Sequence, residues 1–189
     1  MKDLFNVDFL KLFFWFWGSA FLANMMPVLV CKLPFVSKVN KPLDGGRVFG
    51  GQRLFGDHKT WAGLLMAPVS GVLFGLIFAL LRGGMVSFRE LMFFVFVACG
   101  AILGDLAKSF FKRRFKIKEG KAWVPFDQLD FIFGGFIFAL LFELITGGFS
   151  GELLYVYLIL LFVAILVVPF LHLGVNFLAY KMGLKKVWW

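Results

Sequence analysis

Five predominantly apolar runs dominate the chain, at 12–30, 61–81, 91–107, 129–146 and 153–174. About 20 apolar residues rising 1.5 Å each cross the ~30 Å hydrocarbon layer of a bilayer. Inside that layer every backbone N–H and C=O must find a protein partner, which leaves helices or closed barrels. A membrane barrel needs apolar and polar residues in alternation, and none of the five runs alternates. The expected fold is therefore an all-α integral membrane protein, a bundle of about five transmembrane helices. With no internal repeat or low-complexity linker, it reads as one membrane-embedded domain over 1–189. Hydrophobic residues make up 61% and charged residues 16%, against about 45–50% and 25% in soluble domains. A soluble core of this length leaves too much surface wet to hide that excess. Soluble enzymes, disulfide scaffolds and disordered chains are excluded, and Cys31 and Cys99 read as small hydrophobes.

The formal net charge is +9 and its placement carries a direction. Loop 31–60 holds Lys32, Lys38, Lys41, Arg47, Arg53 and Lys59. Loop 108–128 holds Lys108, Lys112, Arg113, Arg114, Lys116, Lys118 and Lys121. Lys181, Lys185 and Lys186 follow the last run, while the alternate loops carry only Arg82 and Arg89. Cytoplasmic loops are rich in Lys and Arg, so the N-terminus is expected outside, the C-terminus cytoplasmic, and both basic loops in the cytoplasm of a multi-pass cell-membrane protein. The first run is expected to be a retained helix rather than a signal peptide, since its leader mixes Asp3 and Asp8 with Lys2 and Lys11 and no small-residue cleavage site follows. Trp188 and Trp189 beside two lysines suit an interfacial anchor. With the cations confined to membrane-flanking loops, the expected partners are lipid head groups or an anionic substrate, not nucleic acid.

This topology brings three polar clusters to one membrane face. They are Asp57, His58, Lys59 and Thr60 before the second span; Asp105, Lys108, Ser109, Lys112 and Arg113 at the end of the third; and Asp127 and Asp130 at the start of the fourth. Polar groups at membrane depth are costly and usually face a cavity or site. Asp105, Ser109 and Lys112 share one helix face by spacing, as do Asp127 and Asp130. The glycine-rich stretch from Asp44-Gly45-Gly46-Arg47 to Gly56 offers backbone N–H groups to an anion. Carboxylates amid many cations suit a magnesium–polyphosphate site, the metal meeting phosphate through carboxylates and Lys and Arg taking the remaining charge. An ion-coupled transporter also uses intramembrane carboxylates, but it favours the midplane and often an inverted repeat.

These residues resemble a known signature. Gly104-Asp105, then Ser109-Phe110-Phe111-Lys112-Arg113, Lys118, Pro125 and Asp127-Gln128-Leu129-Asp130 look like the cytidylyltransferase motif of CDP-diacylglycerol synthases. Lys59-Thr60-Trp61 matches an upstream element of that family. The short length, five spans, Ala23-Asn24 with Pro27-Val28-Leu29, and Asp44-Gly45-Gly46-Arg47 are similar to the CDP-archaeol synthase family. Gln128 stands where the diacylglycerol enzymes carry Arg, and their His-Gly-Gly is replaced by the run into Pro125-Phe126. The resemblance implies transfer of CMP from CTP to 2,3-bis-O-(geranylgeranyl)-sn-glycerol 1-phosphate, giving CDP-archaeol and pyrophosphate. Phosphatidate as the lipid acceptor is the alternative. It further implies Mg²⁺ on Asp105 and Asp127 with Asp130 in support. Lys112 and Arg113 would bind phosphates, Ser109 would donate a hydrogen bond, and Lys59, Thr60 and Lys118 would contact the nucleotide or its phosphates, with Asp57 and Asp44 nearby.

Overall fold

Each apolar run folds as a helix whose ends are set by local chemistry. The structure, a computed structural model, describes residues 7–30, 33–117 and 121–183; Cys31, Lys118 and the closing Trp188 and Trp189 lie outside these. Among the described residues six helices follow in order: α1 Val7–Val30, α2 Pro34–Val39, α3 Trp61–Arg82, α4 Phe88–Arg114, α5 Phe126–Thr146 and α6 Gly151–Lys181. All but the short α2 are long and apolar enough to cross a membrane. Ser87 and Glu90 form a reciprocal capping box at the start of α4, and the Ser150 hydroxyl accepts from Leu153 N at 3.1 Å to open α6. Gly83 and Gly147 close α3 and α5 in the left-handed region, at φ 68° and 71°. Between α2 and α3 a two-residue hairpin, β1 Val48–Phe49 and β2 Gln52–Arg53, pairs Val48 with Arg53 and Phe49 with Gln52.

The helices run past their apolar cores. The sequence ends the third span at 107, whereas α4 continues to Arg114 and carries Lys108, Ser109, Lys112 and Arg113 as helical side chains. This extension keeps them in one angular register with Asp105.

α4 is the central element, packed against α1, α3 and α5. Phe16 and Trp17 of α1 and Phe93 and Phe94 of α4 are fully buried at the heart of the core, and Tyr157 of α6 packs edge-on to Phe16 with ring centres 4.6 Å apart. The Trp17 indole, which needs a partner when buried, donates to the Leu160 carbonyl at 3.2 Å. Large apolar side chains such as Leu65, Leu76, Ile137, Phe162 and Phe170 point outward, as a lipid-facing surface requires.

Where α4 meets α5, the two backbones touch. A Cβ at Gly134 would lie 2.8 Å from Gly104 Cα and closer still to the Gly100 carbonyl, and one at Gly104 would strike the Asp130 carbonyl. Small residues at such crossings let membrane helices approach closely. Gly71 plays the same part between α3 and α4, where an added Cβ would be 2.5 Å from Val95 Cα. Because neither helix can yield without moving its neighbours, Gly134→Ala is expected to destabilise the protein by about 1–3 kcal/mol. Thermal unfolding in detergent will read this as a lowered midpoint, with a parallel loss of activity because Asp105 and Asp130 flank the contact.

Candidate active site

Three helix ends meet at one face of the bundle: the start of α3, the last turns of α4 and the first turn of α5. Lys59, just ahead of α3, forms an ion pair with Oδ2 of Asp105 on α4. From one turn further along α4, Lys108 Nζ reaches Asp105 Oδ1 at 3.1 Å, Asp127 Oδ1 at 3.2 Å and Asp130 Oδ2 at 2.9 Å. Lys112 Nζ spans both oxygens of Asp127, at 3.0 and 2.9 Å. Asp127 also accepts from Trp123 N at 2.6 Å, and Asp130 Oδ1 accepts from Phe131 N at 2.7 Å. Three carboxylates and three ammonium groups thus form one largely buried network. Arg113 stands apart: its Nε is buried without a hydrogen-bond partner, and it makes no ion pair among the described residues.

The loop over this face is organised by Asp44. Its carboxylate accepts from Gly46 N at 3.0 Å, Phe55 N at 3.1 Å and Gly56 N at 3.2 Å, and Arg53 forks onto it at 2.6 and 3.2 Å. Arg53 also reaches Asp57 at 2.8 Å. Arg114, at the end of α4, donates to the carbonyls of Phe49, Gln52 and Arg53 and lies over the rings of Phe49 and Phe110. The hairpin is thereby tied to the same helix that carries the site. Thr60 caps α3 by accepting from Gly63 N at 3.3 Å, and Asn40 braces it from Nδ2 at 3.0 Å while accepting from Ala62 N at 3.2 Å. An open cleft of about 710 Å³ borders the loop, lined by Lys41, Gly45, Gly46, Arg47, Arg53 and Trp61.

Comparison with known proteins places the chain in one family. The family model described as CarS-like, CDP-archaeol synthase, matches residues 6–189. The chain belongs to the CDP-archaeol synthase family. A relative of that name from Thermococcus kodakarensis is 34% identical over 181 residues, covering 93% of this chain and 94% of the relative. Another from Methanospirillum hungatei is 40% identical over 155 residues, covering 78% and 89%. A solved structure described as an intramembrane enzyme for archaeal membrane lipids biosynthesis superposes with a TM-score of 0.58 at 31% identity, over 82% of this chain and 91% of that one. The five apolar helices and this neighbour make the chain a multi-pass membrane protein.

For this member of the CDP-archaeol synthase family, the structure brings together Asp105, Asp127, Asp130, Lys59 and Lys112. Ser109 is buried beside them with its hydroxyl donating back to the Asp105 carbonyl at 2.9 Å. Thr60 serves as a helix cap, and Asp44 and Asp57 both pair with Arg53. Sequence reasoning groups Lys108 with its neighbours but gives it no role, although positions 105, 108 and 112 fall on one helix face. It also passes over Arg53, Arg114 and Asn40, which hold the loop.

The donor set suits a hard divalent ion. Oxygens from three aspartates already surround one cationic nitrogen at 2.9–3.2 Å, and carboxylate oxygen is what Mg²⁺ prefers. Among the described residues, no group of three metal-ligating side chains is gathered closely enough to cage an ion by itself.

The Arg53 guanidinium holds the Asp44 carboxyl well below the usual carboxylate range. A depressed folded value contributes stability in full above the unfolded value of ~4 and loses it only as pH falls toward the folded one. Amide protection at Gly46, Phe55 and Gly56 is therefore expected to persist from pH 7 down to about 4. Asp44→Asn is expected to abolish it at neutral pH, as read by hydrogen–deuterium exchange.

Proposed function

We propose that this protein is a CDP-archaeol synthase that transfers CMP from CTP to 2,3-bis-O-(geranylgeranyl)-sn-glycerol 1-phosphate. A phosphate oxygen of the lipid forms a new bond to the α-phosphorus of CTP. The bond from that phosphorus to the β-phosphate bridging oxygen breaks, and pyrophosphate carries away the electron pair. The observation that carries this reading is the convergence of Asp105, Asp127 and Asp130 with three lysines at one end of a membrane bundle.

Both reactants are anionic, so the barrier lies mainly in bringing like charges together in a fixed geometry. Lys59, from ahead of α3, and Lys112, from α4, would bind the nucleotide and lipid phosphates, and Arg113 offers a guanidinium not committed to any ion pair among the described residues. Asp105 and Asp127 would hold Mg²⁺, with Asp130 in support, and the ion would neutralise phosphate oxygens and polarise the phosphorus under attack. Ser109, whose hydroxyl donates back to the Asp105 carbonyl, lies buried beside these groups. No general base is required, because a phosphate monoester with a second pKa of ~6 is already largely ionised at pH 7. The prenyl chains lie among the lipid-facing side chains while the head group meets CTP at the membrane surface.

The enrichment of Lys and Arg in loops 31–60 and 108–128 supports a cell-membrane protein with its N-terminus outside and the site facing the cytoplasm. A cysteine introduced at exposed Lys121 is expected to react with impermeant maleimide only in inverted vesicles; labelling in right-side-out vesicles would reverse the topology.

Purified protein given labelled CTP, Mg²⁺ and the ether-lipid phosphate is expected to yield a labelled lipid. Label transferred only to phosphatidic acid would replace the proposed acceptor. Asp105→Asn and Asp127→Asn are expected to lower turnover by at least ~10²-fold, the scale of losing a preorganised electrostatic contact, while circular dichroism stays helical. Near-normal turnover in both purified variants would remove the metal assignment.

A further inference from the structure

Lys108 holds the place in the site to which a divalent ion would be drawn. Its Nζ lies within 3.2 Å of an oxygen from each of Asp105, Asp127 and Asp130, so carboxylates from two helices converge on one positive charge. The other lysines are more local, Lys59 pairing with Asp105 and Lys112 with Asp127. Asp130 meets no other cation among the described residues. Three carboxylates matched by three ammonium groups leave the network neutral. A divalent ion arriving alone therefore meets no net attraction and must displace an ammonium that lies within 3.2 Å of all three carboxylates. An ion arriving with a triphosphate meets a different balance, because the phosphates supply new partners for the displaced ammonium. Lysine is suited to such an exchange, being a compact charge on a flexible four-carbon stem.

We propose that Lys108 is an internal place-holder cation: it balances Asp105, Asp127 and Asp130 before substrate binds, yields their oxygens to the divalent ion that enters with CTP, and turns its Nζ to the phosphates. The proposal deepens the metal-dependent reading above and rests on it. It makes metal and nucleotide binding cooperative, each raising the other's affinity through the same lysine.

The test is a titration of the purified protein with Mn²⁺, followed by electron paramagnetic resonance, without CTP and then with it. Lys108→Met removes the competing charge while keeping an unbranched side chain only one atom shorter. Without CTP it is expected to bind Mn²⁺ about tenfold more tightly than the wild type, and its lowered melting temperature is expected to recover on adding Mn²⁺. Lys108→Arg keeps the charge and is expected to bind Mn²⁺ no more tightly than the wild type. If the methionine variant does not fold, Lys108→Gln, which is also uncharged but keeps two N–H donors, is read by the same criterion. An uncharged variant that binds Mn²⁺ no more tightly than the wild type overturns the place-holder role and leaves the metal reading intact. Absence of Mn²⁺ binding by wild type and variant alike, with CTP present, overturns both.

Discussion

The site depends on the backbone contact between α4 and α5. Gly100, Gly104 and Gly134 remove the side chains that would otherwise keep two membrane helices apart, and the chain main-chain atoms meet directly. Gly104 touches the Asp130 carbonyl, and Asp105 is the next residue on its helix. The glycine contact therefore carries two carboxylates, distant in sequence, to the same point at the end of the bundle. Wider separation of these helices would leave Lys108 unable to touch Asp105 and Asp130 together. A packing requirement in the apolar layer thus becomes a geometric requirement on charged groups at its edge.

Gathering like charges has an electrostatic cost, and the chain meets it with three lysines drawn from two places. Lys108 and Lys112 come from the same helix face as Asp105, where helical periodicity guarantees their approach. Lys59 comes from the loop before α3, and its position depends on that loop being held. Asp44, Arg53 and Arg114 supply the hold, linking the hairpin to the end of α4. The Leu43 N–H, next to Asp44, donates to the Lys59 carbonyl at 2.7 Å, so the loop bears on the position of Lys59. With each aspartate paired, breaking one pair leaves a buried charge uncompensated, which is the costly event in such networks. Exchange of partners, as opposed to loss of them, is how the site can admit another cation.

The spans and the clustering of polar residues at one face were legible because both arise from patterns along the chain. Apolar length needs no tertiary information, and the spacing of Asp105, Ser109 and Lys112 already puts them on one helix face. The role of Lys108 was hidden because its partners lie on two helices, and only the glycine contact shows that their oxygens share a centre. Asp44 carried an overlooked signal. An aspartate two residues before a glycine whose N–H it accepts forms an Asx-turn, so Asp44-Gly45-Gly46 reads as a turn builder as readily as an anion cradle. Thr60 likewise stands at the residue before an apolar helix, where a hydroxyl commonly serves as cap. In each case a local backbone need competes with the functional reading of the same residue.

The opposite end of the bundle uses similar chemistry to another effect. Glu143 of α5 accepts from the Tyr157 hydroxyl of α6 at 3.0 Å and pairs with Arg89 of α4, so one buried carboxylate joins three helices. Arg82 and Glu90 close the α3–α4 connection beside it at 2.9 Å. Here Glu90 and Glu143 each have their own arginine, and among the described residues these two carboxylates share no cation. The arrangement fixes the helix ends relative to one another and leaves them there. At the other face, three carboxylates share Lys108 while Arg113 is uncommitted among the described residues. The bundle is thus pinned by separate ion pairs at one end and carries carboxylates that share a single cation at the other.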